Sequence, residues 1–210
     1  MQIQPDPTTR LGGWLFRHRT VLPLPVAVAI LAIPSGDAGS SALLVVSGVA
    51  VTVLGELIRL WGVHHIGVIS RTRSDRLGPL VDSGPFAIVR NPLYVGNIML
   101  WVGFALTARL AWLAPVILAL LGAEYHAIVR WEERLLDSRL GDGYRTYAAR
   151  VPRWMPRLST ISGATRGERP SNQRAAAAKP YSVRETLFSE RGTLVAIAAG
   201  YLLLWLKARF

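Results

Sequence analysis

The stretch from Asn91 to Ala123, NPLYVGNIMLWVGFALTARLAWLAPVILALLGA, spans 33 residues and carries one charged side chain, Arg109. It reads as two apolar blocks, 91–108 and 110–123, joined at that arginine. Three further uncharged stretches share this character, 20–36, 38–55 and 192–206. Each is shorter than the ~20 residues that cross a bilayer core, so helices built on them tilt little or draw ionisable residues into the membrane at their ends. The expectation is an all-α polytopic integral membrane protein with about five transmembrane helices.

Composition agrees. Of 210 residues, 51% are hydrophobic and 18% charged, and a soluble domain of this length usually carries more charge. Mean hydropathy is +0.31, which together with the block pattern excludes disorder, collagen and coiled coil as descriptions of the whole chain. Cysteine is absent, which removes disulfides, thiolate metal sites and a cysteine nucleophile. The net charge of +11 comes from 22 Arg and 2 Lys scattered among apolar residues. They form no aromatic-interleaved module, so membrane topology and anionic headgroups, rather than nucleic acid, account for them.

The basic residues fall mainly in 57–90 and 124–191, whereas the turn between the first two blocks has no Lys or Arg. By the positive-inside rule both basic segments and the amino terminus face the cytoplasm, and Lys207 and Arg209 fall on the other side if the fifth block spans. Otherwise that block lies along the interface. The first block holds Pro23 and Pro25 near its start and lacks a small-residue cleavage site, so it is expected to be retained as an anchor. Four regions follow: membrane helices over 1–76, a core over 77–158, a flexible basic linker with a possible interfacial helix over 159–191, and a last membrane helix over 192–210. Gly48 and Gly55 are placed to let helices pack closely, within or between chains.

Three groups of residues have chemistry to offer. In 84–96, GPFAIVRNPLYVG, Pro92 suits a first helical turn and Asn91 its N-cap, which leaves backbone N–H groups and Arg90 facing any anionic group. An ordinary helix start with an interfacial Arg and Tyr fits the same residues, and physics alone favours that plainer reading. Beyond the fourth block, Arg130 and Glu133 share a helix face with His126 a turn earlier, while Glu132 lies about 100° away. A solvated cap of intrahelical ion pairs is again the plain alternative. Glu56, with Arg59 three residues on and His64-His65 beyond, is either a structural pair or part of a site. Nothing near the two histidines completes a metal ligand set.

Taken together, these motifs resemble the isoprenylcysteine carboxyl methyltransferase and phospholipid N-methyltransferase superfamily of membrane methyltransferases. The residues that carry the likeness are Gly84, Pro85, Phe86, Arg90, Pro92, Tyr94 and Gly96, then Glu132, Glu133 and Leu136, and finally Gly141, Tyr144, Tyr147, Val151, Pro152, Arg153 and Pro156. They run in family order around a helical hairpin over 77–157, about 80 residues, with Asn91 standing where the family often has His.

The resemblance implies methyl transfer from S-adenosylmethionine to a membrane-resident acceptor, in a carboxyl-terminal cofactor region at the cytoplasmic interface. It implies cofactor contacts from Arg90, Asn91, Tyr94, Gly96, Glu133, Tyr144 and Tyr147, and no metal. Arg90, Glu133, Glu56 and His64 are the candidates for orienting the acceptor or accepting its proton. Glu133 is assigned to the cofactor's ammonium or sulfonium, and the segment after Leu158 to tuning outside the pocket. The expected acceptor is an amine lipid headgroup such as phosphatidylethanolamine, in a bacterial cytoplasmic membrane. Carboxyl or thiol methylation of an isoprenoid-like acceptor, a nicotinamide-dependent reductase and a non-enzymatic scaffold with a lipid-binding basic tail are the alternatives. Oligomeric state is not legible.

Overall fold

The computed structural model describes residues 7–35, 41–67, 80–157 and 181–209. Its regular elements are α1 (Pro7–His18), α2 (Leu24–Ala32), α3 (Ser41–Ile66), a 3-10 turn (Gly84–Ala87), α4 (Pro92–Thr107), α5 (Leu113–Leu140), α6 (Asp142–Arg150) and α7 (Val183–Lys207). No strand occurs among the described residues. Helices α3, α5 and α7 are each long and apolar enough to cross a membrane, and α4 is a shorter apolar helix of 16 residues. The all-helical membrane fold expected from the apolar blocks is met.

Two elements differ from expectation. The first block contributes only the nine residues of α2, about 14 Å at the usual helical rise and half a bilayer core. Pro25 sits in its first turn, and the chain becomes extended at Ile33, so unbroken apolarity here does not produce a helix of spanning length. At the other end, the expected interfacial helix and the separate last span are one element, because α7 runs unbroken through Arg191 and Gly192. Its start is fixed by a capping box: the Glu185 N–H donates to Ser182 Oγ at 3.2 Å, and the Ser182 N–H donates to Glu185 Oε2 at 2.8 Å. The expected linker over 159–179 lies outside the described residues.

The chain divides into two compact units, the first comprising Met1–Glu56, Gly96–Glu132 and Gly192–Phe210. Its centre is the seam between α3 and α4, and glycine makes that seam. A Cβ on Gly48 would lie 2.7 Å from the Gly103 carbonyl, and one on Gly55 would lie 2.9 Å from the Gly96 carbonyl. A Cβ on Gly103 would overlap Thr52 Oγ1. The close packing expected of Gly48 and Gly55 is therefore realised within one chain. Thr52 donates to the Gly48 carbonyl at 3.0 Å and accepts from the Tyr201 hydroxyl at 2.8 Å, which ties α7 to the seam. Phe104 packs on Gly200 and on the Tyr201 ring, with ring centroids 5.3 Å apart. At the end of α7, Lys207 Nζ donates to the carbonyls of Ile30 and Ile33 at 2.6 Å each and so caps the last turn of α2.

Candidate functional site

The second unit comprises Leu57–Val95 and Glu133–Arg191, and it contains most of the sequence motifs. It is built on a turn that only glycine serves. Gly84 has φ +58°, and a Cβ there would come within 2.5 Å of His65 Nε2. From Gly84 the 3-10 turn carries Phe86 into the interior, where its carbonyl accepts the Tyr147 hydroxyl at 2.8 Å. Tyr144, Tyr147 and Val151 form a small buried core against Leu80, Leu136 and Leu140. Three residues beyond the end of that turn the chain is held again, as the Arg90 N–H donates to the Pro152 carbonyl at 2.9 Å.

These anchors deliver three charged side chains to one place. Glu133 Oε1 lies 3.2 Å from Arg90 Nη1 and accepts from Arg153 Nε at 2.9 Å, while Oε2 accepts from Arg153 Nη2 at 2.6 Å. The second contact is the bidentate fork that suits a guanidinium and a carboxylate. Arg90 Nη1 also donates to the Tyr144 hydroxyl at 3.4 Å. Arg90 and Glu133 side chains are 14% and 15% exposed and largely shielded from water, whereas Arg153 is 33% exposed. Burial, with Glu133 beside it, pushes the Tyr144 phenol up to about 12, and burial pushes Tyr147 higher still. Both tyrosines are hydrogen donors rather than bases at neutral pH. The paired set of two guanidiniums and one carboxylate keeps one positive charge, and Arg90 Nε is buried with no hydrogen-bond partner.

The structure thus brings together Arg90, Glu133 and Tyr144, with Tyr147 one turn away on the same buried face. Asn91 joins through its backbone neighbourhood: its side-chain amide donates to the Arg153 carbonyl at 3.1 Å, and its own carbonyl accepts from Val95 at 3.2 Å at the start of α4. Tyr94 is half-buried in the first turn of α4. Gly96 belongs to the first unit, where its carbonyl faces Gly55 of α3. Glu56 is buried in α3 within the first unit. His64 belongs to the second unit and meets α7, 3.5 Å from the Thr186 hydroxyl.

Two departures stand out. Glu133, expected to answer a cation on the cofactor, has both oxygens engaged by guanidiniums. Arg153, present in the motif without an assigned role, is its principal partner. Helical spacing pointed to Arg130 because it sees only neighbours on one helix, whereas Arg153 reaches Glu133 from 20 residues on, after α6 and the Pro152 turn. The Val151-Pro152-Arg153 ending contains this arginine, but nothing in its spacing relates it to Glu133.

Residues 43–143 match the phospholipid methyltransferase family. The chain is 32% identical over 155 residues to the nickel-cobalt-cadmium resistance protein NccN of Alcaligenes xylosoxydans xylosoxydans, covering 71% of this chain and 70% of that protein. It is 36% identical over 124 residues to the cobalt-zinc-cadmium resistance protein CzcN of Cupriavidus metallidurans, covering 59% of this chain and 54% of that one. No solved structure matches the chain.

Proposed function

We propose, for a chain that belongs to the phospholipid methyltransferase family, S-adenosylmethionine-dependent N-methylation of an amine lipid headgroup such as phosphatidylethanolamine at the cytoplasmic face of a bacterial membrane. The observation that carries the reading is the Arg90–Glu133–Arg153 set closed by Tyr144. Its surplus positive charge and the unpartnered Arg90 Nε fit the carboxylate of the cofactor, the one anionic group that molecule has. When bound, the cofactor supplies a methyl group on a sulfonium, an electrophile that needs alignment and a dry approach more than acid catalysis.

The residues divide the work accordingly. Arg90 holds the carboxylate, and Arg153 assists. Glu133 is a positioning residue that fixes both guanidiniums. Asn91 fixes the Arg153 backbone, and Tyr94 offers a ring face to a cation. Tyr144 orients Arg90, Tyr147 pins the turn at Phe86, and Gly96 keeps α4 close to α3. A protonated amine must lose a proton before it attacks, and His64 and Glu56 are the candidates to receive it. A carboxylate acceptor is already ionised and needs no such base, so pH dependence separates it from an amine, whereas a thiol must also give up its proton.

The same chemistry offers a route to the resistance named for the relatives. A primary amine has a lone pair for nickel, cobalt, cadmium or zinc, and a quaternary ammonium has none.

The test is titration of the purified chain with S-adenosylmethionine and with nicotinamide cofactors, followed by transfer of labelled methyl to phosphatidylethanolamine vesicles. Saturable binding of S-adenosylmethionine alone, with label in the headgroup and at least a tenfold loss of affinity in Arg90→Ala, is the expected result. Nicotinamide binding, or unchanged transfer by Arg90→Ala, overturns it.

A further inference from the structure

Within the second unit, α3 and α7 meet along a polar seam whose ion pair has no part in the cofactor contacts proposed above. Arg59 and Glu190 form an ion pair there, with side chains only 12% and 8% exposed. About one turn further along each helix, the Thr186 hydroxyl faces His64 Nδ1 at 3.5 Å, and the Tyr181 N–H donates to the His64 carbonyl at 2.8 Å. The same stretches of the two helices carry exposed apolar side chains, Leu57 and Trp61 on α3 and Leu187 and Phe188 on α7.

A buried ion pair on two membrane helices is a poor device for holding them together. Desolvating both charges costs as much as their attraction returns, and apolar side chains of the same volume serve as well. Ionisable groups within such helices instead mark sites where a ligand is met. The two charges also define that ligand. An anion would take Arg59 and strand Glu190, and a cation would do the reverse. A zwitterion meets both, so that one internal ion pair is exchanged for two ligand contacts and no charge is left buried alone.

We infer that the α3–α7 seam is the subsite for the phospho-alkylammonium headgroup of a membrane lipid, with Arg59 taking the phosphate, Glu190 the ammonium, and Leu57, Trp61, Leu187 and Phe188 flanking the acyl chains. The inference rests on the proposed methyltransferase reading and names where its acceptor is held. Arg and phosphate match as planar donor fork and tetrahedral acceptor, and the apolar flanks favour a lipid over a free headgroup.

The test reads binding rather than turnover. The full chain in detergent is titrated with phosphatidylethanolamine, phosphatidylglycerol and water-soluble phosphoethanolamine, and lipid retention is followed by native mass spectrometry. The wild type should prefer phosphatidylethanolamine over both others by tenfold or more. The double variant Arg59→Glu with Glu190→Arg keeps an ion pair but reverses its polarity. With fold and S-adenosylmethionine affinity retained, it should lose at least tenfold in phosphatidylethanolamine affinity. Glu190→Gln should shift preference toward phosphatidylglycerol, a reversal that misfolding does not mimic.

Wild-type lipid affinity in the swapped variant would make the pair a strut indifferent to polarity and overturn the inference. So would equal retention of the two lipids. Equal affinity for phosphoethanolamine would overturn its assignment to a lipid. A chain that binds the headgroup selectively but transfers no methyl would support the seam and refute the methyltransferase reading instead.

Discussion

The two units solve the same packing problem with opposite materials. In the first, α3 and α4 approach until backbone meets backbone, and the contacts belong to Gly48, Gly55, Gly96 and Gly103, with two hydroxyls, Thr52 and Thr107, between them. In the second, segments are held by charged and phenolic side chains reaching across: Glu133 to Arg90 and Arg153, Tyr147 to Phe86. Where lipid tails are the solvent, apolar side chains gain nothing by leaving them, so close van der Waals contact between small residues does the holding. Where water is near, directed polar contacts both hold the chain and leave charge for a ligand. A fault in the first unit is therefore steric and global, and a fault in the second electrostatic and local.

The largest effect should come from Gly103→Val. Its Cβ would overlap Thr52 Oγ1 and lie 2.9 Å from the Thr52 backbone nitrogen, so helices rather than side chains must move. A loss of about 3 kcal/mol or more is expected, read as a collapse in folded yield and thermal midpoint in detergent. Gly143→Ala, in α6 with open space around it, should be neutral or slightly stabilising and serves as the counterpart in the second unit.

Glu133→Gln comes next. It leaves two guanidiniums without their shared counter-ion, and should weaken S-adenosylmethionine affinity by roughly ten- to a hundredfold, about 1.5–3 kcal/mol, and lower the thermal midpoint as well. Glu132→Gln should change it far less, and equal small effects would reduce the pair to an ordinary charged helix end.

Tyr144 gives a pH test. Its phenol is held neutral up to about 12, against an ordinary value of 10.0, so the unfolded chain ionises first. Below pH 10 the two states hold the same proton. As pH rises from 10 to about 12 the folded state loses stability, and Tyr144→Phe should lessen that fall. Unfolding midpoints across the window, compared between wild type and variant, measure it.

The smallest effect belongs to Arg145→Ala. Its contacts to Asp137 and Asp142 lie on the exposed side of α6, where water and salt screen such pairs. A thermal midpoint within a degree or two of wild type is expected, still closer at high salt.

How much of this was legible follows the same division. Apolar blocks disclosed the membrane helices, and the glycines at 48 and 55 disclosed their packing, because both are properties of one face of one helix. The family resemblance groups Arg90, Glu133 and Tyr144, and these side chains lie together. The Arg153 partner was not legible, because no periodicity relates a residue after a proline turn to one on a helix before it. The continuity of α7 was missed because Glu190 and Arg191 interrupt its hydropathy, although Ser182 and Glu185 spell its start. By the positive-inside rule, Lys207 falls on the side opposite the basic segments if the fifth block spans. Its ammonium is spent on two carbonyls of α2, so its position answers a local need for a donor rather than the sidedness of the membrane.

The glycines of α3 recur at 48, 55 and 62, and those of α4 at 96 and 103, in each case every seven residues. Equal spacing makes the seam a ruler with repeated marks. Sliding one helix by seven residues, about 10 Å, would set glycine against glycine again, so the small residues alone leave two alignments nearly degenerate. What separates them is the pattern between the marks: Thr52 meets Tyr201 in the first unit, and Leu93 fills the place beside Gly62 in the second. A chain with Thr52→Ala and Tyr201→Phe would keep every close contact and lose much of its means of telling one notch from the next.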